Sequence, residues 1–252
     1  MRFYDLSKEE RELKYKEIQN DILNDLKNNK YNKTLDYFND DDTYIRKAGY
    51  IGVGKLYNQF SELQKDIILF LNRYIKDDRE KVRQTIIYCC GEIAVTNFEI
   101  IENLIKVGIT DKHHSVKNAS TGALKKAGEK NPKEIIKFCS DNITSENPEI
   151  RKLMCHSLEL RGRTHPEEII NILKILQCDK DKKVFEMLIH VLGQISYKKG
   201  CFHFVEKEIR DWDNKDIYPL YKDEVIEVHG RYEKFSEFKQ EYIIDFFFQK
   251  AN

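Results

Sequence analysis

The amino-acid sequence predicts an all-α protein, a right-handed α-α superhelix of about five to six helix pairs with capping helices. Three observations predict it. The composition suits long, charged helices, because only four prolines and eleven glycines occur in 252 residues and 34% of the residues are charged. One pattern of polar and apolar residues recurs about every 34 residues. Each recurrence holds two amphipathic segments of helical period, which must stack on their neighbours to bury their apolar faces.

The elements follow one another along the whole chain, which is predicted to be a single helical-repeat domain (1–252). Residues 1–30 contain one amphipathic segment, "SKEERELKYKEIQNDILNDLK", and are predicted to form an N-terminal cap. Five helix pairs are expected in 31–200. Residues 201–252 are predicted to add a less regular pair and a final capping helix, whose aromatic run Phe246–Phe248 would seal the end of the stack.

One aliphatic residue near the start of the second helix of each pair aligns the five repeats. Its successive spacings are 37, 34, 34 and 34, too constant for chance. An apolar residue stands eight positions later in every repeat, on the same helical stripe. The aligning residues are Ile45, Val82, Val116, Ile150 and Val184.

A polar column precedes the second helices. Five positions before the aligning residue stands Asp or Ser, a type that can accept hydrogen bonds from the free N–H groups at a helix start, so these residues are predicted to be helix caps. The column consists of Asp40, Asp77, Asp111, Ser145 and Asp179.

Shorter amphipathic segments are predicted to be the first helices of the pairs. They cover 63–75, 98–109, 132–143 and 166–176, and the last two carry a proline near the first turn, where its missing N–H costs nothing. Within the second helices, glycine recurs nine positions after the aligning residue. Because glycine costs about 1 kcal/mol in a helix relative to alanine, its recurrence predicts that a neighbouring helix packs closely there.

With the opening "D-x-x-x-x-[IV]-[RK]" of its second helices, the chain resembles the HEAT repeat family over about residues 31–200. The resemblance implies a solenoid whose second helices line a concave surface. It also implies that a basic column forms a ladder with the turn aspartates of neighbouring units. The alternative is that this column faces a phosphate backbone or an acidic peptide. The column consists of Arg46, Arg83, Lys117 and Arg151.

Two further groups of residues are candidates for binding. Positions two and six after the aligning residue would face the concave surface, which is either a recognition surface or merely a solvated face. These candidates are Lys47, Gln84, Tyr88, Asn118, Lys152, His156 and His190. The stretch "HSLELRGRTHPEEI" places Arg161, Arg163 and His165 in a turn, where they are either anion ligands or ordinary turn residues.

Motifs for catalysis and for metal binding are missing from the sequence. The six cysteines form no C-x-x-C and the seven histidines form no H-x-x-x-H, so no metal, cofactor or catalytic residue is predicted. The His-Glu dipeptides of similar helical-repeat di-iron enzymes also do not occur. No signal-like or membrane-spanning run is present, and the thiols indicate a reducing cytoplasm.

Two functions compete at this stage. The first is a non-enzymatic scaffold that binds a macromolecular partner, with protein favoured. The alternative is a DNA-binding protein resembling the bacterial HEAT-like alkylpurine DNA glycosylases, with Tyr50, Tyr88 and His156 near the lesion. The formal net charge of zero speaks against a general nucleic-acid binder. A role as accessory to a pigment- or cofactor-attaching system rests on fold analogy alone.

Overall fold

The computed structural model describes residues 3–249, and every regular element in that range is a helix. The chain forms two compact units, residues 1–131 and residues 132–252. The all-α architecture expected from the sequence is confirmed, whereas the single-domain division stays a prediction. Within the described range, no helix combines the length and the apolar character needed to cross a membrane.

The first unit contains a capping helix and three helix pairs. Short 3-10 turns lie at Phe3–Asp5, Ser61–Leu63 and Glu99–Ile101, and each is followed by a helix. The helices are α1 (Lys8–Asn28), α2 (Asn32–Asn39), α3 (Thr43–Gln59), α4 (Gln64–Tyr74), α5 (Glu80–Ala94), α6 (Glu102–Ile109) and α7 (His114–Lys130).

The second unit contains three further pairs and a terminal helix. Pro166, which was expected near the first turn of a helix, begins a 3-10 turn at Pro166–Glu168. The helices are α8 (Pro132–Asn142), α9 (Pro148–Ser157) with its short continuation α10 (Glu159–Gly162), α11 (Ile170–Lys174), α12 (Lys182–Gln194), α13 (Phe202–Arg210), α14 (Ile217–Arg231) and α15 (Gln240–Gln249).

The second helices pack on one another in sequence order. In the first unit α1 contacts α3, α3 contacts α5 and α5 contacts α7; in the second unit α9 contacts α12 and α12 contacts α14. The apolar residue eight positions after the aligning residue is buried in every repeat, as expected. Three aligning residues, Val82, Val116 and Val184, are fully buried. The 34-residue register therefore describes the real packing unit.

Close approach of helices explains the recurring glycines. A Cβ atom on Gly91 would lie 2.8 Å from the Cβ and 2.9 Å from the Cα of Ala123 on the next second helix. On Gly193 it would lie 2.4 Å from the Cγ of Glu224, and Gly54 faces Glu92 in the same manner. The prediction that a neighbouring helix packs there is confirmed.

The prediction that the polar column caps the second helices is wrong. These helices begin later, and their N-caps stand three rather than five positions before the aligning residue, at Asp42, Asn147 and Asp181 for example. The side chains of the polar column instead accept a hydrogen bond from the backbone N–H two residues later in the chain. Asp179, for example, accepts from the N–H of Asp181 at 2.9 Å. They thereby shape the turn that leads into the helix, because this N–H still lies outside the helix.

The aromatic residues near the C-terminus form only part of the expected seal. Phe247 is buried and its ring centroid lies 5.9 Å from that of Phe202. Phe246 packs on the same Phe202 ring at 4.9 Å. Phe248 is 59% exposed, because α15 turns its third phenylalanine outward under the ammonium of Lys222.

Candidate functional site

The second member of the basic column, Arg83, forms a buried ion pair. Arg83 donates from Nε and Nη2 to the two carboxylate oxygens of Asp111, at 2.8 and 3.1 Å. Its Nη1 donates to the backbone carbonyls of Asp77 and Asp78. Only 5% of Arg83 is exposed. Hydrogen bonds to Asp111 raise the pKa of Arg83, so this cation is held in place by its own turn and by the next one.

The same arrangement recurs in the second unit. Arg151 donates to both oxygens of Asp179, at 2.6 and 2.8 Å, and to the carbonyls of Ser145 and Glu146. The hydrogen bonds from Arg151 hold the pKa of Asp179 below its usual value. Two basic residues of the column thus bind carboxylates 28 residues further along the chain.

The other two members of the column differ. Arg46 donates to the carbonyls of Asp40 and Asp41. In the expected ladder Arg46 would bind the carboxylate of Asp77 in the next repeat. Arg79 binds that carboxylate instead, through two hydrogen bonds of 2.8 Å. Lys117 is half-buried, and the residue that follows it in the polar column of the sequence is Ser145.

The second-helix face of the first unit carries the candidates Lys47, Gln84, Tyr88 and Asn118. Lys47 and Asn118 are exposed, and Gln84 donates to the carbonyl of Ser115 at 3.4 Å. The half-buried rings of Tyr88 and Tyr50 stack with centroids 5.0 Å apart. The face is therefore largely polar, and it carries one stacked aromatic pair, Tyr50 and Tyr88.

A cleft between α1 and α3 continues this face. Two open cavities of about 420 and 260 Å³ make it up, and both are lined by Tyr15 and Glu12. We name it the α1–α3 cleft. Its cations are Lys8, Arg11, Lys16, Lys47 and Lys55. The repeat position of Lys47 predicted that it lies at the surface. The cations of α1 lie outside the five repeats, so the repeat pattern did not predict their place in the cleft.

The loop candidates of the second unit do not converge on a common point. Arg161 binds the carboxylate of Glu168 at 2.7 and 2.5 Å, while Arg163 binds Glu159 at 2.5 Å and Gln194 at 2.6 Å. His165 Nδ1 lies 2.9 Å from the hydroxyl of Thr164. Each cation already holds an internal acceptor, so the turn is not arranged as an anion grip.

The remaining candidates, Lys152, His156 and His190, lie on second helices of the second unit. Lys152 pairs with Glu149 at 2.9 Å. The rings of His156 and His190 lie 6.1 Å apart, and both reach the buried carboxylate of Glu159. The sequence analysis did not include Glu159, and it placed the two histidines on one face without pairing them as ligands. The available signal was that His156 and His190 occupy one repeat position.

Comparison with known proteins gives one family and a set of distant structures. The sequence model of the family Cnd1, described as non-SMC mitotic condensation complex subunit 1, matches residues 28–161, just over half of the chain. No curated protein matches the sequence.

The solved structures with a similar arrangement of helices include designed proteins. An engineered protein is 15% identical, with a TM-score of 0.40 and alignment over 78% of this chain and 95% of that one. A designed armadillo repeat protein in complex with the peptide (KR)4 is 13% identical, with a TM-score of 0.38 over 78% of this chain and 98% of that one. At these TM-scores the likeness carries no argument about function.

Proposed function

The chain belongs to the Cnd1 family, described as non-SMC mitotic condensation complex subunit 1, and from this premise we propose that it is a HEAT-repeat scaffold that binds a protein partner. The α1–α3 cleft is the proposed docking point, and an acidic segment of the partner is its proposed ligand. The observation that carries the proposal is the charge of the cleft: five cations line it and Glu12 opposes them.

The lysines of the cleft are available for an outside ligand. Lys8, Lys16, Lys47 and Lys55 make no ion pair within the described part of the chain. By contrast, Lys14 on the same helix pairs with Glu17 at 2.9 Å. Unpaired like charges side by side repel one another, so a bound carboxylate would lower the energy of the cleft as well as gain its own contacts.

Apolar and aromatic groups lie beneath these charges. Tyr15, Ala48 and Ile51 line the larger cavity. In the smaller cavity the Tyr4 and Tyr44 rings meet edge to face at 4.1 Å, and the Arg11 guanidinium lies over Tyr4. Anchoring by one apolar side chain among charged neighbours is how protein interfaces concentrate their binding energy. An acidic peptide with apolar residues fits this lining.

The pairing of the column arginines and the carboxylates beside the cleft favour a peptide ligand over a nucleic-acid backbone. Arg83 and Arg151 are bound to internal carboxylates, which leaves them no free geometry for phosphates. The turn Asp40–Asp42 lines a cavity beside Tyr4 and Tyr44, so a continuous polyanion crossing these rings would meet carboxylates. A short acidic segment ending in the cleft avoids them.

The test is fluorescence anisotropy with the full chain and labelled peptides. One peptide alternates Glu and Leu, a second replaces Glu by Lys, and a duplex DNA of mixed sequence is the third probe. We expect the acidic peptide alone to bind, with affinity that falls as salt rises. Charge reversal by Lys16→Glu with Lys47→Glu should weaken binding about tenfold or more, equivalent to about 1.4 kcal/mol.

The matched control carries the same two charge changes elsewhere in the first unit. Lys65 on α4 and Lys76 after it are exposed, and the variant Lys65→Glu with Lys76→Glu should bind within about twofold of the native chain. Equal losses in both variants would show a general charge effect and remove the cleft from the proposal. Binding of duplex DNA in place of the acidic peptide would support the DNA-binding alternative instead.

A further inference from the structure

Three metal-ligand side chains meet in the second unit, away from the α1–α3 cleft. His156 lies on α9, Glu159 begins α10 and His190 lies on α12. The Glu159 Oε2 atom is 3.2 Å from His156 Nε2 and 3.8 Å from His190 Nε2. One ligand atom from each residue lies within 4.8 Å of the other two. No other group of this kind occurs in the described residues.

The repeat brings these residues together. His156 and His190 stand at the same position of consecutive repeats, 34 residues apart, and α9 packs on α12. Equivalent positions on stacked helices are neighbours, so the two imidazoles face one another. Glu159 follows His156 by three residues, which puts it one turn on, on the same side of the helix path. The three donors therefore come from α9, its short continuation α10, and α12.

A second layer of contacts orients the donors. His190 Nδ1 lies 3.3 Å from the carboxylate of Glu224 on α14, which is able to approach because Gly193 has no Cβ there. An Nδ1–H donated to this carboxylate leaves Nε2 as a lone-pair donor toward Glu159. Glu159 uses Oε1 to accept from Arg163 at 2.5 Å and keeps Oε2 for the histidines. Carboxylate partners of this kind fix imidazole ligands in metal sites.

We propose that His156, Glu159 and His190 form a binding site for a divalent transition-metal cation of the zinc type. Two imidazoles and one carboxylate are a known ligand set for Zn²⁺, with bonds of about 2.0–2.1 Å. Tetrahedral ligands at that distance stand about 3.3 Å apart. The Oε2 atom lies 3.2 Å from His156 Nε2, which fits this spacing, and 3.8 Å from His190 Nε2, which would have to move inward by about half an ångström. About a third of each imidazole is exposed, so a fourth position opens to solvent.

The charges of the site favour a divalent cation. Glu159 is only 3% exposed, and its neighbours are two imidazoles and one guanidinium. Glu224 adds a second carboxylate behind His190, so two carboxylates surround the site against the single cation of Arg163. Arg163 binds Oε1 of Glu159, as an outer partner does, whereas Oε2 is the oxygen that lies toward the two histidines.

The experiment measures Zn²⁺ binding to the full chain by calorimetry, with the Cys178→Ser change to remove the exposed thiol. We expect one site per chain and a rise in Tm with Zn²⁺. His190→Gln and His156→Gln should each weaken binding at least about 100-fold. Glu224→Gln should weaken it about tenfold, since it removes only an outer partner. Bound Co²⁺ should show the intense visible bands of a low-coordinate site.

His114→Gln is the matched control. His114 is exposed and stacks on His113, so this pair is the obvious place for adventitious binding. The control should keep the affinity and stoichiometry of the parent. Absence of a Zn²⁺ heat in the parent, or binding that persists in both His156→Gln and His190→Gln, would overturn the proposal. Circular dichroism and Tm of each variant without metal confirm that it is folded.

Discussion

Arg83 and Asp111, 28 residues apart in the chain, form a two-pronged ion pair in which both side chains are less than a tenth exposed. The pair links the second helix of one repeat to the turn of the next. Arg151 and Asp179 repeat the link in the second unit. Such pairs fix the register of stacked helices, because any shift would leave a buried charge without its partner.

Breaking the Arg83–Asp111 pair should destabilise the chain. Arg83→Met leaves the Asp111 carboxylate buried and unpaired, and losses of about 3–5 kcal/mol are typical of this situation. Replacing both partners, by Arg83→Met with Asp111→Leu, should restore most of the loss. Urea unfolding of the four members of the cycle measures it. Additive losses in the double variant would show that the two side chains do not act as a pair.

The Arg151–Asp179 pair should make stability depend on pH. Hydrogen bonds from Arg151 lower the pKa of Asp179 in the folded chain, so the unfolded chain binds the proton more readily. The stabilisation is full above the unfolded value of about 3.9 and is lost as the pH falls through the lower folded value. Unfolding free energies of the native chain and Arg151→Met should differ more at about pH 7 than at about pH 3. An unchanged difference would contradict this cause.

Two helix glycines should respond oppositely to alanine. Gly91→Ala places a methyl group against the Cα of Ala123, which is backbone and cannot move aside, so we expect a loss of about 1–3 kcal/mol. Gly122→Ala meets only the Tyr88 ring at 3.5 Å, an ordinary contact. It should stabilise the chain by about 0.5–1 kcal/mol through helix propensity. Thermal unfolding of both variants decides the matter, and equal effects would contradict the close packing.

One thiol should react quickly in the native chain. Cys178 is exposed, whereas the other five cysteines are buried. Burial raises the pKa of Cys139 to about 12 and that of Cys201 to about 11, which keeps them as unreactive thiols. A disulfide reagent should titrate one fast thiol per chain, and Cys178→Ser should abolish it. A second fast thiol would show that one of the buried positions opens readily.

The sequence by itself determined the helical repeat. Val82, Val116 and Val184 recur at the repeat spacing because equivalent side chains pack into equivalent spaces between stacked helices. This packing requirement is visible in the sequence as a periodicity. Gly91 could be placed beside a neighbouring helix for the same reason.

Only the tertiary structure decided which polar groups meet. Arg79 rather than Arg46 binds the Asp77 carboxylate, and Arg46 donates instead to the carbonyls of its own turn. Glu159 joins His156 and His190 because stacking brings residues 34 positions apart into contact, and the cations of α1 reach the cleft only when α1 packs on α3. Short-range spacing predicts that neighbouring repeats touch, but it does not specify which polar side chain takes which partner, because that choice depends on distances across the stack.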